Sequence, residues 1–261
     1  MPPRLPPQTA ADDRGAASAQ QKTPEAARNG GTLTAEPNRR SALLVDLDGT
    51  LTDPAEGIVG CFRLALETLG RIAPPAADLH WIIGPPLRGC FAEALGGEGD
   101  PEEALKIYRG RYSVEGLFEA TVYDGVREAL AELRATGTRL FLCTAKPLVY
   151  AERILSHFDL ERHFEAAYGD ELGGRFQDKA DLIAHILERE GLKADDCCMW
   201  GDRKHDVLAA SRHGIPTIGA LGGYGGADEL RAAGAAALCQ SPSEVLAAFS
   251  ALPPAASTQA S

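Results

Sequence analysis

Two carboxylates set two positions apart, Asp46 and Asp48, close an apolar run in the stretch Leu43-Leu44-Val45-Asp46-Leu47-Asp48-Gly49-Thr50-Leu51-Thr52. Like charges that near repel, so a site holding both needs a divalent cation, a shared proton, or both. A second apolar run, Cys197-Cys198-Met199-Trp200, ends the same way in Gly201-Asp202, with Asp206 four residues further on. Delivered to one crevice, Asp46, Asp48 and Asp202 would make an oxygen-ligand set suited to Mg2+. Asp206 falls near the start of a helix, where capping it or orienting its neighbours is expected ahead of a direct metal bond. A third run, residues 139–143, leads into Thr144-Ala145-Lys146-Pro147. Thr144 offers a hydroxyl beside the N–H groups of the next helix, which suits either a phosphate cradle or a plain helix cap. Lys179, after Gln177-Asp178, reads in isolation as a solvated surface charge. It gains weight because the site otherwise lacks a fixed cation.

These side chains need a scaffold that gathers strand ends. Side chains alternate along an extended strand, so Asp46 and Asp48 are expected to leave one face near its carboxyl end. Apolar runs at 139–143, 164–168, 197–200 and 216–221 alternate with helical patterns at 147–158, 179–190 and 207–213. That rhythm predicts an α/β fold, a parallel sheet with helices on both faces. In such sheets ligands bind beyond the carboxyl ends of the strands. Before residue 122 the pattern is helical. Asp53-Pro54-Ala55-Glu56 opens a helix, with Pro where a missing N–H costs nothing and acids near the positive end of the dipole. Two further helices are expected at 87–95 and 101–113, with no strand between 71 and 120. The expected organisation is a core over 41–56 and 122–252, with an all-helical insert over 57–121. A disordered N-terminal tail over 1–40 and a short tail over 253–261 complete it.

A formal net charge of −11 disfavours nucleic acid and anionic membrane as partners. It also requires cations to be concentrated locally if the substrate is an anion. No apolar run approaches the roughly 20 residues of a membrane span. The six cysteines form no CxxC pair and lie in apolar segments, which fits a reducing, cytoplasmic setting. A calcium loop also begins D-x-D, but Gly49 comes too early for one and Gly57 occupies the place of its bidentate Glu. The glycines at 219–226 match no nucleotide-binding fingerprint and read as a flexible turn.

Asp46–Leu51 (DLDGTL), Thr144, Lys179 and Gly201–Asp206 (GDRKHD), in that order, resemble the four motifs of the haloacid dehalogenase superfamily. The resemblance covers residues 41–250. It implies a Rossmann-like core with a small helical cap inserted after the first strand, and a Mg2+-dependent phosphomonoester hydrolase. In those terms Asp46 is the nucleophile that forms an aspartyl-phosphate, and Asp48 the proton donor and acceptor. Asp46, the carbonyl of Asp48, and Asp202 hold the metal; Thr144 and Lys179 bind phosphoryl oxygens, and Asp206 orients its neighbours. The chain is similar to the phosphoglycolate phosphatase and bacterial 5′-nucleotidase-like branch, with 2-phosphoglycolate or a nucleoside monophosphate as the implied substrate. Arg88, after the break Gly84-Pro85-Pro86, reads either as a cap contact to substrate or as a solvated helix charge. Dehalogenases of the superfamily lack the second acid, which is present here as Asp48. A phosphomutase or other phosphotransferase is the alternative within the superfamily. A non-catalytic phosphate-binding regulator would have been expected to lose one of the acids or Lys179.

Overall fold

The computed structural model of the chain describes residues 40–253; of the tails expected over 1–40 and 253–261, all but Arg40 and Pro253 lie outside the described residues. Six strands form one parallel sheet: β1 (Ala42–Val45), β4 (Arg139–Pro147), β5 (Ala166–Asp170), β6 (Cys197–Gly201), β7 (Thr217–Ala220) and β8 (Ala237–Cys239). Their order is β5-β4-β1-β6-β7-β8. The lone β2 (Thr52–Asp53) and β3 (Thr121–Val122) form a separate antiparallel ribbon. Between the sheet strands run α4 (Val126–Ala135), α5 (Leu148–His157), α6 (Lys179–Glu190), α7 (Lys204–Ser211) and α8 (Ala227–Ala233), with α9 (Val245–Ala251) closing the described chain.

Both faces of the sheet are buried, which is why its strands read as unbroken apolar runs. In β1, Leu43 and Val45 join one core cluster with α4 and α5, while Ala42 and Leu44 join another with α6 and α7. From β1 the chain builds β4 and β5 on one side, then returns to lay β6 on the other. The strand order therefore reverses around β1, the position at which open α/β sheets leave a crevice. Val45 is level with Leu142 and with Trp200, so the ends of β4, β1 and β6 arrive together.

β1 stops before the acidic pair. The Asp46 N–H still donates to the Trp200 carbonyl at 2.9 Å, but the Leu47 carbonyl then accepts from the Leu51 and Thr52 N–H groups, turning the chain back. Gly49 takes φ +82°, a conformation that favours glycine. Asp48 thus sits in a tight turn, and strand alternation does not govern where it points. The ribbon of β2 and β3 was not foreseen either, because two-residue strands carry no usable periodicity. It pairs Thr52 with Val122 and Asp53 with Thr121, so the chain leaves the sheet region and re-enters it side by side.

Between the two ribbon strands lie α1 (Ala55–Thr68), α2 (Leu87–Leu95) and α3 (Pro101–Tyr112), with short 3-10 turns at Ala76–Ile82 and Gly116–Phe118. The Asp100 carboxylate caps α3 by accepting the Glu102 N–H, and Pro101 opens the helix. Aromatic rings bind this helical block together and extend beyond it. Phe62 stacks on Phe91 at 4.2 Å, Phe91 meets Tyr108 edge-on, Tyr108 stacks on Tyr112 at 5.0 Å, and Tyr112 meets Tyr150 of α5. Ring pairs of this kind are directional as well as apolar, so α3 is set at a defined pose over the sheet ends. No helix among the described residues is long and apolar enough to cross a membrane.

Candidate active site

The residues beyond β1, β4 and β6 meet at one place. Asp46, 7% exposed, follows β1; Thr144, 2% exposed, lies in the last part of β4; Asp202, fully buried, follows β6. Lys179 is the first residue of α6 and is buried, so the surface-charge reading does not describe it. Its ammonium group lies 3.0 Å from Asp46 Oδ1 and also bonds Asp206 Oδ1. Asp206 does two things at once. Its other oxygen accepts the Arg203 N–H at 3.0 Å and so caps α7, while the first anchors Lys179. Thr144 does not cap α5, whose first turn has no side-chain cap. Its hydroxyl oxygen instead accepts the Lys146 N–H at 3.3 Å across an irregularity in β4.

Lys146 is the residue that sequence reasoning passed over. Its side chain is 5% exposed, and Nζ lies 2.9 Å from Asp48 Oδ2 and 2.5 Å from the Tyr112 hydroxyl. The two acids are therefore separated: Asp46 pairs with Lys179, Asp48 with Lys146. The signal lay in the tetrapeptide Thr144-Ala145-Lys146-Pro147, but only the bulge before Pro147 turns Lys146 toward the turn that holds Asp48. Burial opposes the charged form of each lysine. The carboxylates of Asp206 and Asp46 outweigh it for Lys179, and that of Asp48 with the Tyr112 hydroxyl outweighs it for Lys146, so both stay charged.

The segment 222–226 is not a slack turn. The Tyr224 N–H donates to Asp202 Oδ2 at 2.7 Å, and the Tyr224 hydroxyl bonds Asp53 at the ribbon. A Cβ added at Gly223 would collide with the Gly49 carbonyl and the Asp202 carboxylate. Glycine is needed there because two backbone turns and a buried acid converge.

The fit of this cluster to a metal can be judged from its charges and its unpaired atoms. Asp46, Asp202 and Asp206 offer oxygens that all lie within 4.8 Å of one another. Asp202 Oδ1 is buried with no hydrogen-bond partner. Burial first, then the neighbouring Asp206 and Asp46, push the Asp202 carboxyl well above the usual carboxylate range. Were all four carboxyl groups ionised, they would exceed the two ammonium groups by two negative charges, which a divalent cation would cancel. The donor set is all oxygen, as Mg2+ requires.

With its folded pKa above the unfolded value of 3.8, ionised Asp202 costs the metal-free fold stability as pH rises past that value, and costs nothing below it. Asp202→Asn is expected to raise the melting temperature of the metal-free protein at pH 7 by several degrees, at about 2–4 °C per kcal/mol for a chain of this size. Mg2+ is expected to raise the melting temperature of the unsubstituted protein, and the same substitution is expected to abolish that rise. Thermal scans with chelator and with Mg2+ check both; a variant less stable than the parent in chelator would contradict the charge account.

Asp46, Asp48, Thr144, Lys179 and Asp206 line a cavity of about 720 Å3 between the sheet ends and the helical block, with Asp202 buried behind them. Leu105, Tyr108, Arg109 and Tyr112 of α3 line one wall. Arg88 also borders the cavity, but its guanidinium is exposed and pairs with Glu102 at 2.8 Å.

Comparison with known proteins places the chain. The family model for haloacid dehalogenase-like hydrolases matches residues 43–220. A 5′-nucleotidase of Pseudomonas aeruginosa is 49% identical over 191 residues, covering 73% of this chain and 86% of that one. The chain belongs to the haloacid dehalogenase-like hydrolase family. A crystal structure of a predicted phosphatase from Clostridium acetobutylicum superposes with a TM-score of 0.76 at 36% identity, covering 81% of this chain and 98% of that one. The Mycobacterium tuberculosis protein named tyrosine-protein kinase PtkA is 41% identical over 186 residues, which span 71% of this chain and 64% of PtkA.

Proposed function

We propose that this chain hydrolyses phosphate monoesters of small metabolites, with Asp46 as nucleophile and Mg2+ as cofactor. The observation that carries the reading is the placement of Asp46. It is buried against the Lys179 ammonium group, which Asp206 also holds, with oxygens of Asp202 and Asp206 within 4.8 Å, and it lines a large cavity. A carboxylate attacks a phosphate dianion only where the opposing charge is neutralised; Lys179 supplies part of that here, and a divalent cation held by the acids would supply the rest.

In the first step an Asp46 oxygen bonds to phosphorus as the bond to the leaving oxygen breaks, and that oxygen takes a proton from Asp48. Burial raises the Asp48 pKa against the pull of Lys146, which suits a group that must give a proton near neutrality. In the second step Asp48 takes a proton from water as the water oxygen bonds to phosphorus, releasing phosphate and the free Asp46 carboxylate. Thr144 and Lys179 hold the phosphoryl oxygens. Asp46, Asp202 and the Asp48 carbonyl would hold Mg2+, which when bound supplies charge neutralisation at the phosphoryl group. Asp206 keeps Lys179 aimed at Asp46. The helical block acts as a cap over residues 57–121, and its surface selects among substrates such as 2-phosphoglycolate and nucleoside monophosphates. The six buried free cysteines fit a cytoplasmic setting.

Transfer of the phosphoryl group to a hydroxyl acceptor is the second reading, favoured by the name of the mycobacterial relative. One assay separates them. The purified protein is given a generic phosphomonoester with Mg2+ or with chelator, and inorganic phosphate is counted against ester consumed. A ratio near one, only with Mg2+, is expected; consumption with no free phosphate would favour transfer, and no consumption would end both.

A further inference from the structure

Six cationic side chains line the cavity, and five of them are already paired. Lys179 holds Asp46 and Asp206, and Lys146 holds Asp48. Arg88 pairs with Glu102, Arg203 with Glu229, and Arg212 with Asp178. Arg109 alone has no side-chain hydrogen bond or ion pair among the described residues, although it is half-buried and borders the same space. We infer that Arg109 determines specificity by binding a second anion, carried on the leaving group of the substrate. The inference rests on the phosphomonoesterase reading and adds the chemical class of ester that the site prefers.

The placement of α3 supplies the direction. Leu105, Tyr108, Arg109 and Tyr112 are spaced as one helix face, and all four line the cavity. Tyr112 reaches the Lys146 ammonium group, which in turn holds Asp48. Asp48 is the group that protonates the leaving oxygen, so the leaving group departs toward this wall and away from Lys179. Arg109 stands three residues before Tyr112, about 4.5 Å of helix rise along the wall. A short ester with its second charge a few bonds from phosphorus fits that reach.

Chemistry narrows the ligand further. In a chain of net charge −11, a half-buried cation with no acid of its own is where an anionic substrate is attracted. The guanidinium fork matches a carboxylate or a phosphate through two parallel hydrogen bonds, which a neutral nucleoside does not offer. Carboxylate and second phosphate share this recognition, and the assay keeps them apart.

The test compares four esters in Mg2+: 2-phosphoglycolate, ethylene glycol bisphosphate, ethylene glycol monophosphate and adenosine 5′-monophosphate. The first two carry a second anion; ethylene glycol monophosphate differs from 2-phosphoglycolate by the carboxylate. The unsubstituted protein is expected to show a higher kcat/KM for at least one doubly anionic ester than for either neutral-leaving-group ester. Arg109→Gln is expected to lower that preference by about 10- to 100-fold, through KM rather than kcat. Arg109→Lys is expected to restore part of it. A preference for 2-phosphoglycolate identifies the carboxylate, and one for the bisphosphate the phosphate. Equal losses on all four esters, or no preference in the unsubstituted protein, would overturn the inference while leaving the hydrolase reading intact. Failure of every ester to react would instead remove the hydrolase reading, and this inference with it.

Discussion

Asp46→Asn is expected to reduce phosphate release from every phosphomonoester by about four to six orders of magnitude, the scale of loss seen when a covalent nucleophile is removed. The substitution keeps the size of the side chain and removes its charge. Lys179 retains Asp206 as a partner, so the fold is expected to persist. Acid quenching of the unsubstituted protein during turnover should trap a phosphoryl group on Asp46, and the variant should carry none. Residual turnover within tenfold of the parent would mean that water attacks directly, with Asp46 serving only the metal. The adduct and the rate test different things: the first tests the covalent step, the second whether Asp46 matters at all.

Lys179 carries the second large effect, and it falls on rate and stability together. Replacing it with Met keeps the volume but leaves Asp46 and Asp206 facing each other without a cation. Removing one partner of a buried ion pair costs about 3–5 kcal/mol. At about 2–4 °C per kcal/mol, the metal-free melting temperature of Lys179→Met should fall by roughly 6–20 °C. Turnover should fall by more than about 100-fold, as when other preorganised groups that stabilise developing charge are lost. Mg2+ is expected to recover part of the stability, because it neutralises the same carboxylates, without recovering the rate. Normal turnover in a destabilised variant would reduce Lys179 to a structural strut. Normal stability would mean that the acids are protonated in its absence.

Much of the scaffold is legible in the amino-acid sequence alone. The strand-and-helix rhythm after residue 122 is borne out by the parallel sheet, because strands buried on both faces must be apolar throughout. The helices at 87–95 and 101–113 are present as α2 and α3, the second marked by an Asp cap and a following Pro. Asp46, Thr144, Lys179, Asp202 and Asp206 stand in the sequence as acids, a hydroxyl and a lysine at the ends of elements, and in the fold they converge. Local pattern suffices for such residues because element ends are written in composition: an apolar run, then glycine or a cap.

What depended on the tertiary structure were contacts between segments far apart in sequence. Lys146 and Tyr112 are separated by 34 residues, and nothing in either neighbourhood announces their bond. The bulge in β4 and the aromatic run from Phe62 to Tyr150 create it. The glycines around Tyr224 looked like slack, yet they are small because Gly49 and Asp202 press against them from 174 and 21 residues away. Arg88 and Arg109 are alike in sequence, two arginines on insert helices. Only packing shows that Glu102 occupies the first while the second faces the cavity unpaired. The acidic pair itself divides along the same line. Its spacing in the chain declared two carboxylates in need of positive charge. The fold decided which charge each received, Lys179 for Asp46 and Lys146 for Asp48, because Gly49 turns the chain between them. Residue type sets what chemistry a position can do; distance through the folded molecule, invisible in a linear chain, sets with which partner it is done.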